Sequence, residues 1–122
     1  MRKLHPDLLR QAQQLTDRNP DSLISVATAN GTYMYVSPAH ARVFGYTPHE
    51  LIGQNYKIMT GSVDNFNNIR LTEIALTPEP VQMRFTRRAK SGRLIQIETS
   101  ARAIFDPETG EQFILGNSTV VE

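Results

Sequence analysis

The stretch Asn30 to Gly53, NGTYMYVSPAHARVFGYTPHELIG, leaves the chain little conformational freedom. Ser37-Pro38 and Thr47-Pro48 repeat one device, a hydroxyl N-cap followed by proline at the first helical position, where the missing N–H costs nothing. Thr47 has Glu50 three residues on, which predicts a capping box. Gly45 and Gly53 stand where each preceding helical piece must close. Upstream, Asn30-Gly31 supplies two residues suited to the positive φ values of a tight hairpin turn. Thr32 to Val36 alternates aromatics with Met34 and Val36, a strand composition with both faces covered. A hairpin strand therefore runs directly into two abrupt helix starts, so a sheet must form with short helices laid against it.

The rest of the chain extends this plan. Leu4, Leu8, Ala12 and Leu15 recur at helical spacing, Leu9 widens the stripe, Pro6 suits a first helical residue and Asn19-Pro20 stops the pattern, giving an amphipathic helix over about 5–18. So short a helix is marginal alone in water and must pack on something. Two partners are open: the sheet of its own domain, or a second copy of the chain. Ser22 to Thr28 predicts the first strand. After the connecting segment Gln54 to Gly61, Ser62 is a candidate cap for a helix over about 63–76, with Phe66 and Ile69 on its apolar side, ended by Thr77-Pro78-Glu79-Pro80. Val81, Met83 and Phe85 alternate with polar residues, and Lys90-Ser91-Gly92 turns the chain. In the long strand Arg93 to Phe105, Ile95, Ile97, Thr99, Ala101 and Ala103 share a face opposite Gln96, Glu98, Ser100 and Arg102. Asp106 to Gly110 turns again, and Gln112 to Val121 is a fifth strand. The order predicts an α+β fold, an antiparallel sheet with its helices on one face. Residues 1–19 read as the N-terminal amphipathic helix and 20–122 as one domain.

Composition narrows the function classes. The 122 residues suffice for one domain that removes roughly two-thirds of its unfolded surface from water. A formal net charge of +1 implies no general attraction to nucleic acid or to an acidic membrane. With no cysteine, disulfides, thiol nucleophiles and cysteine-ligated metal are excluded. No apolar run reaches membrane-spanning length and Met1 to Gln11 carries no signal-peptide pattern, which fits a cytoplasmic setting.

Ser37-Pro38-Ala39, Phe44-Gly45-Tyr46, Glu50-Leu51-Ile52-Gly53, Arg87-Arg88-Ala89-Lys90-Ser91-Gly92, Ser100-Ala101-Arg102 and Asp106 to Gly110 follow one another in an order and spacing that resembles the PAS domain family. The resemblance runs from about Asp21 to Val121. It implies a five-stranded antiparallel sheet whose helices on one face enclose a pocket, in a module that senses small molecules, light or redox state, or dimerises, within kinases, cyclases and transcription regulators. It also implies that a helix before the first strand is a dimer contact, here through Leu4, Leu8, Leu9, Ala12 and Leu15. For Glu50 it adds an ion pair with Lys90 beside the capping role.

The same resemblance tests cofactors residue by residue. The light-sensing LOV branch carries Asn-Cys-Arg-Phe-Leu-Gln after its Glu-x-x-Gly region. Here Asn55 and Lys57 flank Tyr56, and a phenol cannot form the flavin thioether adduct. The flavin-facing glutamine of that branch aligns with Ser118, and a pocket asparagine with Ile97. LOV photochemistry is ruled out and flavin is not expected. Haem-binding relatives use a histidine on the main helix. None of His5, His40 and His49 lies there, and His40 and His49 fall in first helical turns, where exposure is expected. Neither haem nor metal is therefore expected. No nucleophile elbow or phosphate loop is present, so the chain is not read as an enzyme. The basic run Arg84, Arg87, Arg88, Lys90, Arg93 reads as a solvated hairpin.

What remains is the interior. Tyr56, Met59, Phe66 and Ile69 from the helical side, and Met83, Phe85, Ile97, Thr99, Ile114 and Ser118 from the sheet, are the candidate pocket residues. The large side chains either fill that space or leave room for a small organic ligand, and a filled or small-pocket core is favoured. The family's Asp-Ile-Thr signature at the end of the last strand is missing, because Val120 stands where the aspartate is expected. The chain ends at Glu122 in strand-like sequence, as a piece of a longer protein would. The expected function is a PAS sensory or regulatory module that forms homodimers and relays a signal to an effector domain, such as a histidine kinase or cyclase, outside this chain. The alternative is a small-molecule receptor with an apolar pocket ligand. Neither nucleic acid nor membrane is an expected partner.

Overall fold

The computed structural model describes residues 3–59 and 79–121, with the side chains of Lys57 and Met59 left aside. The helix expected over 63–76, and with it Phe66 and Ile69, lies outside the described residues. In chain order the elements are α1 (Pro6–Arg18), β1 (Leu23–Thr28), β2 (Tyr33–Val36), α2 (Pro38–Phe44), α3 (Pro48–Leu51), a 3-10 turn (Tyr56–Met59), β3 (Val81–Arg88), β4 (Leu94–Phe105) and β5 (Gln112–Val120). The strands form one antiparallel sheet in the order β2-β1-β5-β4-β3. This is the five-stranded plan expected from the sequence, with the last strand in the middle.

The caps form as their chemistry dictates. Ser37 Oγ accepts from the His40 N–H at 3.3 Å and from the Ile24 N–H at 3.1 Å, which ties the start of α2 to β1. Thr47 and Glu50 make the reciprocal capping box. Gly45 closes α2 at φ 80°, and its N–H reaches back to the carbonyls of Ala41 and Arg42. The hairpin turn differs from expectation, since only Gly31 has positive φ, at 95°. Asn30 instead uses its side chain, whose Oδ1 accepts from the hydroxyl of Thr28. Gly53 takes the positive φ expected where a helix closes, 91°, one position beyond the extended cap Ile52, and its N–H bonds the Tyr33 carbonyl at 2.8 Å.

Apolar clusters lie on both faces of the sheet. On one face Leu23, Ala27, Ile95 and Ile97 pack with Phe44 of α2 and Leu51 of α3. On the other, Ile24, Val26, Ile104, Phe113 and Leu115 pack with Leu4, Leu8 and Ala12, and Leu9 and Leu15 lie partly buried beside them. Helix α1 therefore covers its own sheet, on the face opposite α2 and α3. This corrects the reading of Leu4, Leu8 and Ala12 as side chains presented to a second copy: they are 8%, 1% and 0% exposed within one chain. The physical reason is that Ile24, Val26, Phe113 and Leu115 offer an apolar surface that would otherwise face water, and α1 is joined to it by only four residues. Thr16 fixes the contact with a 2.8 Å hydrogen bond to the Tyr35 hydroxyl.

Candidate functional site

Strand alternation decides which side chains face the helical side of the sheet. In β4 these are Ile95, Ile97, Thr99 and Ala101, all buried, while Gln96, Glu98 and Arg102 are exposed. Registry sets Thr99 opposite Ser118 on β5 and Met83 on β3, and Ala101 opposite Gly116. The Thr99 and Ser118 hydroxyls meet at 2.7 Å, both buried. At Gly116 an added Cβ would approach Ser25 Oγ to 3.1 Å, so glycine keeps β5 close to β1 there.

These strands and the α2 side leave a cavity of about 70 Å3. Of the residues expected to line a pocket, Tyr56, Met83, Phe85, Ile97, Thr99, Ile114 and Ser118 stand on its wall. The side chain of Met59, like Phe66 and Ile69, lies outside the described residues. Ser25, Ala27, Gly31, Tyr33, His40, Arg87 and Gly116 also line it, and were not among the expected site residues. Tyr56 is buried and packs against the hairpin turn, where only a residue without Cβ leaves its ring room at position 31.

Two polar residues on this wall depart from their expected exposure. His40 is 4% exposed, because α2 lies flat on the sheet and turns Ala39, His40, Ala41 and Phe44 inward. Its ring packs edge-on to Tyr33, centroids 5.6 Å apart, and against Phe44 at 5.5 Å. Among the described residues neither ring nitrogen has a hydrogen-bond partner. Burial, aided by the charge of Arg87, pushes the imidazole down to about 3, so it is neutral at physiological pH. Arg87 belongs to the basic run read as a solvated hairpin, yet it is 7% exposed. It continues the inward alternation of Val81, Met83 and Phe85, and its guanidinium lies 4.3 Å from the Phe85 ring centroid and 5.3 Å from that of Tyr56. The alternation could have identified Arg87. No pattern in the sequence marks His40. Burial pushes the Tyr33 phenol up to about 12, against the opposing effect of Arg87.

On the outside of the same wall, Lys90 Nζ and Glu50 Oε2 meet at 2.6 Å. That contact and the Thr47 N–H hold the Glu50 carboxyl below its usual value, and Glu50 raises Lys90 in turn. Glu50 thus holds both the capping role and the ion pair. Among the described residues no three or more His, Asp or Glu side chains gather as a metal site, and no helix is long and apolar enough to cross a membrane.

With this geometry in view, the comparisons with known proteins place the chain. The family model described as the PAS fold matches residues 9–116, and the chain belongs to the PAS family. Among solved structures, it is similar to the PAS-B domain of wild-type Drosophila melanogaster Cycle with bound ethylene glycol, at 22% identity and TM-score 0.72, over 81% of this chain and 99% of that one. It is also similar to the PAS domain of an HTR-like protein from Haloarcula marismortui, at 17% identity and TM-score 0.72, over 94% and 99%. A domain of a sensory box sensor histidine kinase/response regulator from Geobacter sulfurreducens aligns at 23% identity and TM-score 0.68, over 93% and 96%. No curated protein sequence matches the chain.

Proposed function

We propose that this PAS domain is the sensory and regulatory module of a larger signalling protein, forms homodimers, and relays a change in its interior to an effector domain outside this chain. The observation that supports this best is the double exposure of β5. Its residues Ile114, Gly116 and Ser118 line the cavity, while Phe113 and Leu115, alternating with them, lie under α1. A shift of this central strand is felt on both faces at once, so it can link the interior to the helix outside. Catalysis belongs, on this reading, to the effector. Sedimentation of the full chain across micromolar to millimolar concentration tests dimerisation, and a monomer throughout would remove it. For the relay, Ser118→Val is expected to change amide hydrogen exchange in α1. Unchanged protection there would count against it.

A second reading is favoured by the cavity itself: a receptor for a small molecule. Cycle PAS-B, which shares the fold at low identity, is described with ethylene glycol bound. Flavin and haem are not the proposed ligands. A cavity of about 70 Å3 is less than half the roughly 150 Å3 that takes up benzene, and Tyr56 occupies part of its wall. Mass spectrometry of the denatured protein with a visible absorbance scan tests this reading. A colourless, ligand-free preparation would count against it.

A further inference from the structure

The His40 ring is an unsolved hydrogen-bonding problem. It is 4% exposed, lines the cavity, and neither nitrogen has a partner among the described residues. Native proteins seldom leave buried polar groups in this condition. A half-turn about Cβ–Cγ exchanges Nδ1 with Cδ2 and Nε2 with Cε1 inside the same ring outline, so either edge can carry the nitrogens. The neutral imidazole then offers one N–H donor and one acceptor. Across the cavity the Thr99–Ser118 pair, 2.7 Å apart, uses only one of its two hydroxyl protons on itself.

We infer that the cavity is a binding site for one small uncharged amphiphile, a short-chain alcohol, diol or primary amide, whose polar end hydrogen-bonds His40 and whose hydrocarbon part meets the sheet. The inference rests on the receptor reading above and gives it a ligand class. A hydroxyl or primary amide answers both roles of the imidazole, whereas a hydrocarbon answers neither and a carboxylate cannot donate. A cation would meet the Arg87 guanidinium, which is buried in the same wall. Water also has room there, since the volume exceeds the roughly 10–15 Å3 that one water needs, and Ser25, Tyr33, Thr99 and Ser118 stand on the same wall. The apolar remainder, Ala27, Met83, Ile97, Ala101 and Ile114, gives a water no side-chain partner but gives a hydrocarbon chain its contact surface.

The test is a titration of the isotopically labelled full chain with 1,2-propanediol, followed by NMR of the backbone amides and the His40 ring nitrogens, with propionate and ethylammonium as parallel probes. The expected result is saturable movement of the His40 nitrogens together with the Ile97 and Ser118 amides under propanediol, and about tenfold weaker binding in His40→Phe. Tighter saturation by propionate or ethylammonium would overturn the ligand class while leaving the receptor reading standing. Shifts that stay linear for every probe would overturn both, because the cavity then holds water only. Equal binding by His40→Phe would remove His40 as the contact. Should that variant fail to fold, ring nitrogens that stay still while the wild-type amides saturate would do the same.

Discussion

At the residue scale, His40 makes stability depend on pH in a definite direction. Its folded value of about 3 lies below the 6.5 of an unfolded chain, so the unfolded state takes up the proton first as pH falls. The stability present above pH 6.5 is therefore eroded below it, by about 2 kcal/mol between pH 7.5 and 5.0. Urea unfolding at the two pH values should show that loss in the wild type, and His40→Phe should not show it. The window matters, because Glu50 and Asp106, both lowered, lose their contributions only under more acidic conditions. Gly31 makes a second residue-scale prediction. Its φ of 95° and the adjacent Tyr56 ring both oppose a side chain. Gly31→Ala should cost upwards of about 1 kcal/mol in urea unfolding. His40 also marks a limit of sequence reading. A histidine soon after an N-cap looks solvent-facing, and only the lie of α2 on the sheet reverses that.

At the element scale, α1 and the β4–β5 pair carry separate tests. Leu8 is 1% exposed beneath α1, and Leu8→Ala should destabilise the domain by about 2–5 kcal/mol in denaturant unfolding. If α1 instead bound only a second copy, the cost would depend on protein concentration. The Thr99–Ser118 hydroxyl pair invites a double-mutant cycle. Ser118→Ala alone should cost about 1–3 kcal/mol by stranding Thr99, while adding Thr99→Val should recover much of it. The strands and caps were legible because their signals are local: alternation in Arg93 to Phe105, Ser-Pro and Thr-Pro at the helix starts. The partner of α1 was not, since an apolar stripe says that a helix must pack and not where. Asn30 was misread for a related reason. Its type suits positive φ, yet its side chain takes the hydroxyl of Thr28 instead.

At the scale of the whole molecule, the PAS topology places the last strand at the centre of the sheet, with one face toward the cavity and the other toward α1. The order of motifs from Ser37 to Gly110 made the fold readable. The interior was readable only in part, because the cavity-facing phase of Ser25 and Ala27 depends on registry with β5 and that of Tyr33 on registry with β1. The hairpin turn and the pocket wall also meet at one point, where Gly31 and Tyr56 touch across the chain. That contact sets a rule for how the sequence can change over time. Among descendants of this domain, position 31 should stay glycine wherever position 56 keeps its aromatic ring, and loss of that ring lifts only one of the two restraints, because the φ of 95° remains.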